Sequence, residues 1–295
     1  MKLAHNTGTR SIVSSALSTL ILAGAMCAAA SVAAAPILGS DLATFAVLGA
    51  SGVTNVPASI IGGNLGSAPN ASTGGGYIFT SGSRQGNTGL AQQAQLDLDA
   101  AILGLSAFGV GTTIAGDLDA FQAANGGFIT PGTYTVSAAM INLMGTLVLD
   151  GGGDSNAVWV FQFPSTLITS TTSNVVVQNV GSGDNVGLYW NVHSAATLNG
   201  PTFAGNVLAQ DLISSDGNLT IGCGRLLSAN SAVTLNQDKI SITGCLNNSG
   251  GFDQGVALGS GETGGSDGNM VPEPASLALF GLGIAAFGAV RRRRA

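Results

Sequence analysis

Asn206-Val207-Leu208-Ala209 is answered nineteen residues later by Arg225-Leu226-Leu227-Ser228, and Ile213 is answered twenty residues later by Val233. Leu219-Thr220-Ile221 recurs as Ile240-Ser241-Ile242, twenty-one residues on. A drifting period near twenty in short apolar runs is what a β-solenoid produces, since each coil buries its apolar side only by stacking on the next. Upstream, Tyr134 to Val136, Thr146 to Leu149, Val158 to Phe161, Val175 to Val177 and Leu188 to Trp190 are further runs rich in Val, Leu, aromatic and Thr residues, separated by Gly, Asn, Asp and Ser. They read as strands between turns. Coil corners need residues that tolerate positive φ, which gives the 45 glycines a structural reason.

One segment breaks the pattern. Leu90, Ala91, Ala94, Leu98, Ala101, Ile102 and Leu105 form an apolar stripe at helical spacing, with Gln92, Gln93, Gln95, Asp97 and Asp99 mostly off it. The spacing predicts one amphipathic helix over about 89–105.

The two ends read as targeting segments. Lys2 and Arg10 precede an apolar stretch containing Leu17, Leu20, Ile21 and Leu22, then the small-residue run Ala28 to Ala35, as in a secretory signal peptide over 1–35. Met26 before Cys27 argues against lipidation, where lipoprotein signals want Gly or Ala. At the other end an apolar run from Ala275 to Val290 is followed by Arg291, Arg292, Arg293 and Arg294. It is shorter than the ~20 residues that comfortably cross a bilayer, and the arginines would stay on the cytoplasmic side. Pro272-Glu273-Pro274, the short apolar helix and the terminal arginines together resemble the PEP-CTERM sorting signal over 271–295. That resemblance implies an outer-membrane-bearing bacterium, processing by an exosortase-type enzyme, transient anchoring in the inner membrane, and a cell-surface or extracellular destination. Residues 249–270, rich in Gly, Ser and acids, read as a flexible tether, leaving 36–248 as the folded domain.

Charged residues are only 8% of the chain, and six of the nine bases lie in the targeting ends. Between 36 and 270 only Arg84, Arg225 and Lys239 are basic. Such a body offers no phosphate-binding face, so nucleic-acid binding is excluded as a function class. Catalytic and metal-ligating patterns are missing too. Outside the signal peptide His193 is the lone histidine, and no Cys/His cluster has zinc spacing. Gly259, Gly261 and Gly264 match G-x-G-x-x-G, but within the tether, with no strand before and no helix after. Asp150-Gly151-Gly152-Gly153-Asp154 occurs once, whereas calcium β-rolls need such turns in tandem, so it reads as a plain turn. The chain is therefore expected to be non-enzymatic, without cofactor or metal, and monomeric. Cys223 and Cys245 are about one coil apart, and stacked coils lie ~4.8 Å apart, within disulfide range. Export permits that bond; two free thiols are the alternative.

Several stretches resemble the ice-binding-like proteins of bacteria, fungi and algae: Phe45-Ala46-Val47-Leu48, Gly52-Val53-Thr54-Asn55, Ile61-Gly62-Gly63-Asn64-Leu65-Gly66, Thr130-Pro131-Gly132-Thr133-Tyr134, Asn156-Ala157-Val158-Trp159-Val160-Phe161-Gln162, Leu188-Tyr189-Trp190, Gly224-Arg225-Leu226-Leu227 and Ala232-Val233-Thr234-Leu235. The likeness implies a mainly β fold, a right-handed, discontinuous β-solenoid (β-helix) of triangular cross-section with one long α-helix packed alongside. It also implies ice as the partner, through one flat outer face.

Strand alternation nominates that face. If Ala196, Leu198, Ile213, Val233 and Leu235 point inward, then Ala195, Thr197, Leu212, Ser214, Ala232 and Thr234 point outward, in columns Ala195/Leu212/Ala232 and Thr197/Ser214/Thr234. Leu212 is bulkier than a flat face wants, as is Met140 in the expected neighbouring coil. The expectation is an exported antifreeze or ice-adhesion protein. The alternative is a cell-surface or matrix structural protein of the same fold without ice affinity.

Overall fold

The computed structural model describes residues 36–137, 140–243, 245 and 251–255. An N-terminal block supplies β1 (Phe45–Gly49), β2 (Gly52–Val56), β3 (Ser59–Gly62), β4 (Asn64–Ser67), β5 (Tyr77–Ser81) and β6 (Arg84–Gly86). The long helix α1 (Gly89–Ser106) follows, capped by the Thr88 hydroxyl, which accepts from the Ala91 N–H at 3.3 Å. Beyond it come β7 (Thr112–Ile114), the short helix α2 (Leu118–Ala124), β8 (Gly132–Val136), β9 (Thr146–Asp150), β10 (Val158–Phe163), β11 (Leu167–Ile168) and β12 (Asn174–Gln178). The last block is β13 (Gly187–Val192), β14 (Ala196–Leu198), β15 (Thr202–Ala209), β16 (Ile213–Ser215), β17 (Thr220–Ser228), β18 (Ala232–Asn236) and β19 (Lys239–Ser241).

These strands stack in parallel into a β-solenoid with three faces. One face is β11-β14-β16-β18-β2. A second contains β8, β10 and β13, the C-terminal halves of β15 and β17, and β1, β4 and β6. The third runs from the N-terminal halves of β15 and β17 through β19 and β3 to β5, with the pair β9-β12 at its other end. β15 and β17 belong to two faces because they bend through the vertex between them, where the register shifts between Phe203 and Gly205. Glycine is required there. Gly205 and Gly224 have φ of +92° and +149°, and a Cβ on Gly224 would collide with the Gly205 carbonyl.

Chain order and spatial order differ. The coil formed by β1, β2 and β3 stacks under the last coil, with Val47 opposite Leu226, Val53 opposite Val233 and Ile61 opposite Ile240, and β4 begins the next one against β1. Helix α1 then carries the chain along the second face. Its buried residues Ala91, Ala94, Leu98, Ala101, Ile102 and Leu105 pack with Leu48, Val160, Tyr189, Leu208 and Leu227. The end of α1 is docked by polar contacts: Asn191 Nδ2 donates to Gln162 Oε1 at 2.8 Å and to Ser106 Oγ at 3.0 Å. His193 Nε2 lies 3.2 Å from the same hydroxyl.

Repeat spacing placed most of the stacking and missed one step. Leu226 lies opposite Val207 and Val233 opposite Ile213, at the offsets read from sequence. Ile221, however, pairs with Ile240 and not Ile242. A slip of two residues keeps every side chain on its own side of the sheet, so alternation is blind to it.

Inside the prism the aromatics form a column. Tyr134 stacks on Phe161 at 5.4 Å between centroids, Phe161 on Trp190 at 4.5 Å, and Trp190 meets Phe203 at 4.8 Å. Trp190 is fully buried and its Nε1 donates to the Ala204 carbonyl at 2.8 Å. Trp190→Ala should destabilise the fold by about 3–5 kcal/mol, read as a lower urea midpoint at unchanged slope.

The glycine-rich stretch expected to be free tether from 249 onward starts differently. Gly251 to Gly255 lie against the solenoid, and Phe252 is 4% exposed within the core. Residues 1–35, expected to be a signal peptide, the remainder of the expected tether with Gly259, Gly261 and Gly264, and the C-terminal sorting segment lie outside the described residues.

Candidate functional site

The first face is built by alternation. Ala196, Leu198, Ile213, Val233 and Leu235 are sealed in the core, at 0–1% exposure. Ala195, Thr197, Ser214, Ala232 and Thr234 are therefore turned outward and half-buried, and Leu212 is 40% exposed. Pairing brings the hydroxyl column into register: Thr197 opposite Ser214, Ser214 opposite Thr234.

The column continues one coil further than chain order suggests. Thr234 faces Thr54 of β2, because the N-terminal coil stacks beneath the last one. The shared pairs Val53-Thr54 and Val233-Thr234 were the signal that could have found it. Ile168 stands at the other end, opposite Thr197. In the parallel column Ala232 faces Gly52. One residue beyond the paired registers of β11, β14 and β16, Thr166, Ala195 and Leu212 carry it on.

Hydrogen bonds fix the hydroxyls. Thr54 Oγ1 donates to Thr234 Oγ1 at 3.0 Å, and Ser214 Oγ donates to Thr197 Oγ1 at 3.5 Å. A β-branched side chain already has few χ1 options, and the ladder bonds narrow them further. The result is a row of hydroxyls and methyls repeating at the inter-strand spacing of ~4.8 Å, with little rotamer freedom left to lose on contact.

One edge of this face is pinned by a buried carboxylate. Asp238, under the vertex next to the third face, accepts from Ser215 Oγ, from the Leu219 N–H at 3.0 Å and from the Asn236 N–H at 2.9 Å. Burial raises its pKa while those donors pull the other way. Asp211 and Asp216, both exposed, flank β16 at the two edges.

The three cations of the folded body lie elsewhere. Arg84 stands 5.4 Å over the Tyr77 ring, Lys239 projects from the third face, and Arg225 is sealed in an ion pair with Asp253 at 3.0 Å. Of the three faces, the second is covered by α1, and the third mixes Lys239 with the exposed Val176 and Ile78. The first carries no cation. Its departures from flatness are Leu212, Ile168 and Met140, the last 92% exposed two residues before Asn142, whose N–H reaches the Ile168 carbonyl.

The remaining sequence candidates have local structural roles. Asp150 accepts from Gly152 N–H, Gln178 and Asn179, which hold its carboxyl below the usual range, and Asp154 accepts from Asn156. Among the described residues no group of three or more His, Cys, Asp or Glu is placed to hold a metal. Cys223 and Cys245 are joined in a disulfide, with Cα atoms 4.8 Å apart.

Comparison with known proteins agrees with this architecture. The ice-binding-like family model matches residues 47–241, and the PEP-CTERM protein-sorting motif matches 271–294. An ice-binding protein of Nostoc sp. (strain HG1) is 37% identical over 206 residues, covering 67% of this chain and 71% of that protein. The crystal structure of an ice binding protein from an Antarctic biological consortium is similar at TM-score 0.61 and 32% identity, over 70% of this chain and 90% of that one. One from the Antarctic ascomycete Antarctomyces psychrotrophicus is similar at TM-score 0.58 and 29% identity, over 71% of this chain and 98% of that one.

Proposed function

Because the chain belongs to the ice-binding-like family, we propose that it is an exported, non-enzymatic ice-binding protein that adsorbs to crystals through the β11-β14-β16-β18-β2 face. The observation that carries this reading is the in-register column Thr197, Ser214, Thr234 and Thr54 on a face without a cation. Each threonine offers one hydroxyl and one methyl. Held at a fixed repeat, such groups can order water into an ice-like layer that freezes onto a crystal plane. An ammonium or guanidinium there would hold its hydration shell in another geometry. The contact residues are Ala195, Thr197, Leu212, Ser214, Ala232 and Thr234, with Thr54 added by the stacking.

The signal peptide over 1–35 directs export, and the sorting segment delivers the chain to an exosortase-type enzyme, with transient anchoring in the inner membrane before display at the surface or release. The protein acts as a monomer, since one face of one solenoid carries the whole array.

Purified protein should show thermal hysteresis, shaped crystals and inhibited recrystallisation at micromolar concentration. Absence of all three effects would leave the second reading, a surface or matrix structural protein. Leu212 at 40% exposure and the projecting Met140 favour that one, because both roughen the face.

A further inference from the structure

Gly251 to Gly255 form a strap across the vertex between the second and third faces. Asp253 makes an antiparallel bridge with Gly187, against the otherwise parallel stacking. The Phe252 carbonyl accepts from the Leu188 N–H at 3.0 Å and from Asn206 Nδ2 at 2.8 Å. Tyr189 OH donates to the Gln254 carbonyl at 3.2 Å, and Arg225 pairs with Asp253. A buried aromatic and a buried ion pair are more than a passing linker needs.

In a triangular prism each vertex lies opposite a face, and the vertex under the strap lies opposite β11-β14-β16-β18-β2. We infer that the strap is an exit clamp: it fixes where the C-terminal sorting segment leaves the body, so that a cell-held copy points its ice-contacting face away from the cell and acts as an oriented cell-to-ice adhesin. This rests on the ice-binding reading of that face.

The sorting motif begins at 271, fifteen residues past the clamp. Turning the face towards the membrane would put the exit vertex on the far side and require the tether to span the body. Leaving from any other vertex would impose no such bias.

The test uses the full chain in an exosortase-bearing bacterium, with a membrane-impermeant maleimide on a polyethylene glycol chain as the probe. Ser214→Cys reports the face and Asp184→Cys the clamp side, where Asp184 is exposed. On intact cells Ser214→Cys should label several-fold faster than Asp184→Cys, after division by the rates of the purified proteins. Combining Arg225→Met with Phe252→Ser and Asp253→Ser releases the strap without burying a lone charge, and should bring that ratio to one. Should that variant fail to fold, a twenty-residue Gly/Ser insertion after Gly255 leaves the clamp intact and should still lower the ratio. A ratio of one in the parent, a ratio unmoved by both changes, or protein found only in the medium would overturn the clamp. Thermal hysteresis of the purified chain is read separately: its absence with a preserved ratio removes ice as the partner and leaves the orientation.

Discussion

Thr234→Tyr should remove most thermal hysteresis while leaving the fold intact. Thr234 sits between Ser214 and Thr54 and accepts the Thr54 hydroxyl, so a ring there both breaks the ladder and stands above the plane. A rigid face cannot bend around the obstacle, and the neighbouring hydroxyls are lifted from the crystal with it. With a net worth of ~0.5–1.5 kcal/mol for each hydroxyl contact, losing two or three costs about 1–4 kcal/mol, a fall of roughly fivefold to several-hundredfold in affinity. The residue is half-buried and on the outer side of its strand, so stability should change by no more than about 0.5 kcal/mol. Thr54→Tyr should act the same way, although it lies far away in sequence. Thr220→Tyr, facing outward beside Lys239 on the third face, should leave hysteresis unchanged. If Thr220→Tyr abolished activity and Thr234→Tyr did not, the ice-contacting surface would be the third face.

The contrast between Thr234 and Thr54 shows what sequence can carry. Alternation decides which side of a strand a residue occupies, and it placed Thr197, Ser214 and Thr234 outward because their neighbours Ala196, Ile213 and Val233 are apolar. Stacking order is a different kind of information. Thr54 joins the column only because a helix carries the chain along the prism and the coils build back onto the first one; no local period records that detour. The Ile221 to Ile240 register fails for a related reason, since both candidate partners, Ile240 and Ile242, are apolar and of equal parity. The strap was hidden by composition. Phe252 and Asp253 sit in a run dominated by Gly, Ser and Asn, and the cation that holds them, Arg225, is 28 residues away. One buried ion pair leaves no pattern, only two residues whose significance is their proximity in the fold.

That pair supports the second large effect, on stability. The Arg225 guanidinium is 1% exposed and reaches Asp253 Oδ2 at 3.0 Å, Asn206 Oδ1 at 2.8 Å, the Ala43 carbonyl at 2.6 Å and the Gly251 carbonyl at 3.2 Å. It therefore ties the start of the domain, a central coil and the strap to one point. Burial pulls its pKa down, and the Asp253 carboxylate opposes that shift. Arg225→Ala leaves a buried carboxylate, an amide oxygen and two carbonyls without this donor, so about 3–5 kcal/mol should be lost. A domain with 5–15 kcal/mol in total would lose a third or more of its stability, seen as a lower urea midpoint and early proteolytic cleavage after the strap detaches. Asp253→Ala should cost a comparable amount, because it strands the cation instead. Arg225→Met with Asp253→Leu removes both charges and keeps the volume, so it should recover most of either loss. The strap would then be held by Phe252 alone, and the recovery measures how far the charges act as a paired unit. If either single variant cost less than about 1 kcal/mol, the value of an exposed pair, the clasp would be solvated in solution and the strap loosely held.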